Sequence, residues 1–403
     1  MDSSAQFRQA HDNGQTAYYL VRLGTLGGNF SQAESINNRG WVSGSAFLPG
    51  SKIEHASLWI AKRITDLGTL GGPESNSVWR NKGNKGETAG TAQAATKDPL
   101  KENWCGYRNG YICLGYRWRN GVMSALPTLG GNNGSASSVN NRGEITGVAE
   151  NSTHDPTCVA PQVLDTEAVI WHPDGSIQEL PPLAGDTLGY AFEISDSGQV
   201  VGTSGFCAHP NFGVNAVHAV LWEAGSTIDL GSLGGSVFNA AIAINKRSQI
   251  VGISGLPGNA TYHAVLWQKG MMTDLGTLPG DYSSFGSGIN DKGQVVGSSC
   301  DQRGTCRAFL WQNGTMTDLN LLIAPHPGLD LTDGYDINDG GLIVGQAHDA
   351  EKHRFPGFVL LPSNRSEPRV EGASISKIIL PISGREQLQQ HRGFAGFWAV
   401  PAR

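Results

Sequence analysis

Apolar and small residues fall in short runs a few residues long, separated by Gly, Asn, Ser and Pro, along nearly the whole chain. The stretch after Gly235 is the clearest. It reads Ala240-Ala-Ile-Ala-Ile-Asn245, Gln249-Ile-Val-Gly-Ile-Ser254, His263-Ala-Val-Leu-Trp267 and Met271-Met-Thr-Asp-Leu-Gly-Thr-Leu278. β-Branched, aromatic and small apolar runs bounded by turn formers predict four strands. No window keeps apolar residues at helical spacing, so the pattern predicts few helices.

The unit repeats. Its last strand ends in Leu-Gly-Thr-Leu-Gly-Gly or a variant beginning at Leu23, Leu67, Leu126, Leu180, Leu230, Leu275 and Leu319. The copies lie roughly 45–60 residues apart, the period of blade-type repeats. A turn between the first two strands recurs as Asn37-x-x-Gly40, Asn140-x-x-Gly143, Asn290-x-x-Gly293 and Asn338-x-x-Gly341. Asn and Gly are expected there to supply the positive φ of a tight hairpin. The third strand carries Trp59, Trp118, Trp171, Trp222, Trp267 or Trp311, and opens with His55, His218 or His263 in three copies. Recurrence at one position of the repeat marks both as scaffold. Four antiparallel strands cannot bury both faces alone, so neighbouring sheets must stack. The predicted fold is all-β, a seven-bladed β-propeller of four-stranded antiparallel blades, with eight blades as the alternative.

Together, Leu-Gly-Thr-Leu-Gly-Gly, Ile-Asn-x-x-Gly-Gln-Val-Val-Gly and His-Ala-x-Leu-Trp resemble the HAF repeat of secreted bacterial proteins over about residues 20–362. The resemblance implies an extracytoplasmic repeat protein and brings no catalytic signature. Two copies depart from it: Gly83 replaces the turn Asn, and the strand ending at Leu360 lacks Trp.

The N-terminal Ala17-Tyr-Tyr-Leu-Val-Arg-Leu-Gly-Thr25 matches a fourth strand with no first three before it, and the last unit lacks its fourth. Residues 1–16 are therefore expected to be a tail and 17–364 a propeller closed by the N-terminal strand. Residues 365–403 contain two strand-like runs without the turn motif, and are expected to cap the ring or form a degenerate blade.

Composition narrows the function. Fifty-five glycines and a charged fraction of 16% suit many short strands in 403 residues. The net charge of -6 gives no basic footprint for nucleic acid, and no apolar run is long enough to insert in a membrane. The start lacks signal-peptide features. The six cysteines nevertheless favour export, to the periplasm or outside the cell, with the leader absent from this chain. All fall between second and third strands, and locality favours Cys105–Cys113 and Cys300–Cys306, leaving Cys158 and Cys207 on adjacent repeats.

Strand alternation puts two loop classes on one face: fourth-to-first and second-to-third. The second-to-third loops are long only in blades two, three and four, running from Gly90 to Leu114, Gly147 to Glu167 and Gly202 to His218. They are expected to form a wall beside the central mouth, bearing Trp104, Tyr107, Tyr111, His154 and His209. Flat amphipathic rings suit stacking on sugars or apolar groups. The mouth itself draws Asn29, Glu74, Asn132, Asp186, Asp281 and His326, with Tyr190, Tyr282 and Tyr335 behind them. Asp186, Asp281 and His326 are the candidate acid/base set, because glycan cleavage needs paired carboxyls or a carboxyl with His or Tyr.

No cofactor motif is present, and Asp330, Asp333, Asp336 and Asp339 lack the alternate-residue spacing of a calcium loop. The sequence thus predicts a secreted binding propeller for carbohydrate or a cell-envelope ligand. The alternatives are a polysaccharide hydrolase or lyase on the same face, and a structural surface protein. Oligomeric state is left open.

Overall fold

The repeat folds as its patterning requires. In the computed structural model, which describes residues 16–61, 63–77, 80–207 and 216–363, seven antiparallel sheets of four strands each form a ring. Within a sheet the strands follow chain order, as in Ala240–Ile244, Ile250–Gly255, Tyr262–Gln268 and Met271–Gly276 of blade five. The sole helical element among the described residues is one 3-10 turn, Leu319–Leu321. The fold is the seven-bladed propeller, and the eight-blade alternative is set aside. The seventh sheet takes its outer strand from the N-terminus: Tyr18–Arg22 pairs with Gly357–Pro362, Tyr18 opposite Pro362 and Arg22 opposite Phe358.

Apolar side chains pack between blades. One cluster fills each interface; Val251, Ala264, Leu266, Ile289 and Phe309, for example, join blades five and six. The conserved-in-repeat Trp lies in these interfaces, and its N–H explains the repeated phrase. Trp59, Trp171 and Trp222 donate to the carbonyls of Gly24, Pro127 and Pro181, the residue after the leading Leu of the preceding copy. The Gly-Gly that ends the phrase has two separate causes. Gly130 has φ +110°, a region that favours glycine. A Cβ on Gly131 would lie 2.5 Å from the Asn151 carbonyl oxygen.

The Asn-x-x-Gly turn differs from expectation in one respect. Its Gly has positive φ, as at Gly143 (80°) and Gly293 (79°), but its Asn does not. The Asn side chain does two other jobs. Asn290 Oδ1 accepts from the N–H groups of Lys292 and Gln294, closing its own turn, while its Nδ2 donates to the Asn338 carbonyl of the next blade. Asn37, Asn140, Asn245 and Asn338 likewise donate to the next blade around the ring. The following residue adds a second girdle, in which Asn84, Asn141, Lys246, Asp291 and Asp339 each give their N–H to a side-chain oxygen one blade on.

Candidate functional site

The wall expected over one side of the loop face forms a single cross-braced body. In blade two, Glu87–Lys97 and Tyr111–Arg119 bracket a loop stapled by the Cys105–Cys113 disulfide. In blade three, Ile145–His154 and Leu164–Trp171 bracket the next loop. Glu102 from the first reaches into the second, its Oε1 accepting from the N–H groups of Val163 (2.7 Å) and Leu164 (2.9 Å). The Cys158–Cys207 disulfide then ties blade three to blade four, beside an N–H bond from Val159 to the Cys207 carbonyl. A third disulfide joins Cys300 and Cys306, so the three pairs are those that locality and elimination suggest. Part of the blade-four loop, with His209, lies outside the described residues.

Buried carboxyls brace the wall. Asn133 Nδ2 donates to Asp98 (2.7 Å) and Glu150 (3.1 Å), and Gln162 Nε2 donates to Glu150 (2.9 Å) and Glu102 (3.2 Å). Burial, then mutual repulsion, raises Glu150 above the usual carboxyl range, and burial raises Glu102 as well. Asp165 and Glu167, two apart on one strand and so on one face, are raised by burial and, for Glu167, by the Asp165 charge.

A third group sits where blade two meets blade one. The Glu54 N–H donates to Glu74 (2.6 Å), and Tyr107 donates to Glu54 Oε2 (3.1 Å) while accepting from Asn76 (2.9 Å). Burial pushes Glu54 up to about 7, with Glu74 repulsion adding to it and the Ser45 hydroxyl opposing it. Burial likewise pushes Glu74 to about 7.

The predicted aromatics serve mixed ends. Trp104 lies half-buried against an axial cluster that includes Leu188, Tyr190, Phe192 and Tyr262, so the blade-two loop bends over the mouth. Tyr190 is inside that cluster rather than lining a surface. Tyr107 is held by its hydroxyl, and Tyr111 has the Lys97 ammonium 3.3 Å from its ring centroid. Tyr335 is half-buried, and His154 is exposed. Tyr282 is 38% exposed and donates to the Ala260 carbonyl. Beside the wall, Leu100 and Val159 present apolar side chains to solvent.

The acid/base candidates are each bound within their own blade. Asp186 Oδ2 accepts from Ser204 (2.6 Å) and lies 2.9 Å from His218 Nδ1. Asp281 pairs with Arg307 at 2.9 Å. His326 is on an exposed loop. No hydrogen bond or ion pair joins these three among the described residues. Elsewhere His55 and His263 pair with Asp66 and Asp274 on the adjacent strand, the scaffold role their recurrence predicts. Asp155 stands beside Cys158 and Cys207, but those sulfurs are spent in a disulfide. Asp336 is fully buried against Lys82, and Asp339 belongs to the turn girdle, so the spaced aspartates go to separate places.

Sequence reasoning missed Glu54, Glu102 and Glu150. For Glu54 and Glu150 the one sequence signal is a carboxylate at the edge of a strand run that is otherwise small and apolar, and Glu102, in the loop after Lys97, has none.

Solved structures similar to this chain are propellers at low identity. The β-propeller domain of the Trilobed protease from Pyrococcus furiosus matches at TM-score 0.50 and 10% identity, over 83% of this chain and 96% of that one. A puromycin-hydrolyzing peptidase from Mycobacterium tuberculosis matches at 0.51 and 12%, over 87% of this chain and 55% of that one. A streptogramin B lyase matches at 0.49 and 10%, over 86% and 98%. Such likeness carries the fold alone. No family model and no curated protein matches the sequence.

Proposed function

We propose that this is an extracytoplasmic binding propeller that holds a carbohydrate or cell-envelope ligand on the wall of blades two to four. The observation that carries the reading is the bracing of that wall. Two disulfides and the Glu102 carboxylate fix the described parts of three long loops to one another and to the ring. Long loops on a rigid scaffold are where binding resides, and pre-ordering them removes much of the entropy that binding otherwise costs. Half-buried Tyr111, exposed His154 and the apolar Leu100 and Val159 give that surface its mixed character. The three disulfides and the resemblance to HAF repeats support an oxidising compartment. We take residues 17–364 as the binding unit.

One observation favours the alternative of a polysaccharide hydrolase or lyase. Glu54, which accepts from Tyr107, and Glu74, which accepts from the Glu54 N–H, are two carboxyls that burial raises to about 7, the range of a general acid or base at neutral pH. A single experiment separates the two. The chain is incubated with a panel of polysaccharides and followed by thermal shift and by new reducing or unsaturated ends. The binding reading expects a rise in Tm with one polymer class and no new ends. New ends that vanish in Glu54→Gln establish the alternative, and silence across the panel removes both.

A further inference from the structure

The charges of the wall are sorted by depth. Residues 71–125, which make blade two, hold eight lysines and arginines against four carboxylates, in a chain of net charge -6. The carboxylates of the wall loops turn inward: Asp98 and Glu102 of blade two and Glu150, Asp155 and Glu167 of blade three are all buried. Uncharged donors hold them. Asp98 accepts from Asn133 Nδ2 and the Leu100 N–H, and Asp155 from the Thr187 hydroxyl and the Thr157 N–H. Asp165 is half-buried, and the blade-four loop from Gly202 to His218 contains no Asp or Glu. Burial raises Glu102, and raises Glu150 to about 8 with the Glu102 charge adding to the rise. At neutral pH the acids beneath the wall therefore do little to neutralise its surface.

The cations turn outward. Lys97, Lys101 and Arg108 are all exposed on the blade-two loop, and none of them pairs with a carboxylate among the described residues. The Lys97 ammonium donates to the Asn109 carbonyl (2.6 Å) and lies over the Tyr111 ring, so neither neighbour is anionic. Bonds from the Asp98 N–H to the Gly110 carbonyl, from the Lys101 N–H to the Asp98 carbonyl and from the Arg108 N–H to Asn103 fix the backbone that carries the three. Lys101 and Arg108 have φ of 61° and 55°. That left-handed region favours glycine, so two positions that suit glycine carry long cations instead. Strain kept in an exposed loop points to a role for the side chain that causes it. Lys52, exposed on blade one, extends the patch; it lies two residues before Glu54, on which Tyr107 is seated.

We infer that the ligand of the wall is an acidic polysaccharide, its carboxylate or sulfate groups met by Lys97, Lys101 and Arg108 and its sugar rings laid against Tyr111 and Leu100. This rests on the wall being the binding surface and adds the sign of the ligand's charge. An arriving anion gains these cations without displacing a carboxylate from them. A neutral glycan leaves them without a counter-charge, and a cationic one is repelled.

Calorimetric titration of the full chain at neutral pH and low salt tests this with five probes: polygalacturonate, its methyl ester, dextran sulfate, dextran and single-stranded DNA. Polygalacturonate is expected to bind if carboxylate is the recognised group, and dextran sulfate if sulfate is. The polymer that binds should exceed its uncharged counterpart by at least about tenfold and weaken steeply as salt is raised to about 0.5 M. Lys101→Gly and Arg108→Gly should each weaken binding about two- to fivefold, and the double variant about tenfold. Their Tm should be unchanged or higher, because glycine suits that backbone. Lys101→Arg, which keeps the charge, should bind as the parent does. If a glycine variant loses Tm, Lys101→Gln and Arg108→Gln decide in its place. An uncharged polymer that binds as well as its charged counterpart, with the glycine variants unaffected, overturns the inference and leaves the wall as the binding surface. Silence across all five overturns both. Affinity for DNA equal to that for the acidic glycan, or a double variant of undiminished affinity, overturns the inference as well.

Discussion

Single side chains carry more than one load in this ring, and Asn290 is the clearest. It closes its own turn through Oδ1 and reaches the next blade through Nδ2. Asn290→Ala leaves two turn amides and one carbonyl without partners, and is expected to cost about 1–3 kcal/mol in denaturant unfolding. An Asp there keeps the turn but not the bond to the next blade, so it should fall between. The second residue-scale prediction concerns pH. Glu54 and Glu74 rise from an ordinary 4.5 to about 7 on folding. The folded chain thus holds their protons more tightly than the unfolded chain does. Their contribution is complete below pH 4.5 and is lost as pH rises through 7. The Glu102–Glu150 and Asp165–Glu167 pairs, also raised, act in the same direction. Tm is expected to be higher at pH 5.5 than at pH 8, and Glu54→Gln should flatten the slope; a Tm that climbs from pH 5.5 to pH 8 contradicts this. These carboxyls were hard to read in the sequence for a physical reason. A glutamate at a strand edge reads as solvent-facing, and what buries it is a loop from another blade, as with Tyr107 over Glu54.

At the scale of elements, strands and turns were legible because their causes are local. Period-two patterning, the Trp at one position and the Gly-Gly phrase all recur with the repeat, and each has a contact in the structure that explains it. Loops were legible only as lengths. That Trp104 would fold onto the axial cluster, and Tyr190 inside it, depends on contacts across blades two to six that no local signal records. The closing strand is the element most open to test. Tyr18 and Leu20 join the cluster formed by blades six and seven, and Arg22 pairs with Asp349 at 2.8 Å. Deleting residues 1–22 exposes that core and the edge of Gly357–Pro362, so a large fall in Tm and self-association on gel filtration are expected. An unchanged Tm removes the closure. The Cys158–Cys207 bridge spans 49 residues, and its double serine variant is expected to lose about 2–4 kcal/mol of stability under oxidising conditions.

For the whole molecule, the ring separates two surfaces of different character. The turn face is a girdle of side-chain-to-backbone bonds around an acidic depression. The loop face is asymmetric: four blades keep short connections, and three build the cross-braced wall. That asymmetry, imposed on a near-regular scaffold, is what locates the proposed binding surface. The most direct test follows amide hydrogen exchange of the full chain with and without the polysaccharide that the panel selects. Protection is expected in residues 97–113 and 151–164, with the turns around Asn140 and Asn290 unchanged. Protection confined to those turns, or spread evenly around all seven blades, would contradict the assignment of the wall as the binding surface.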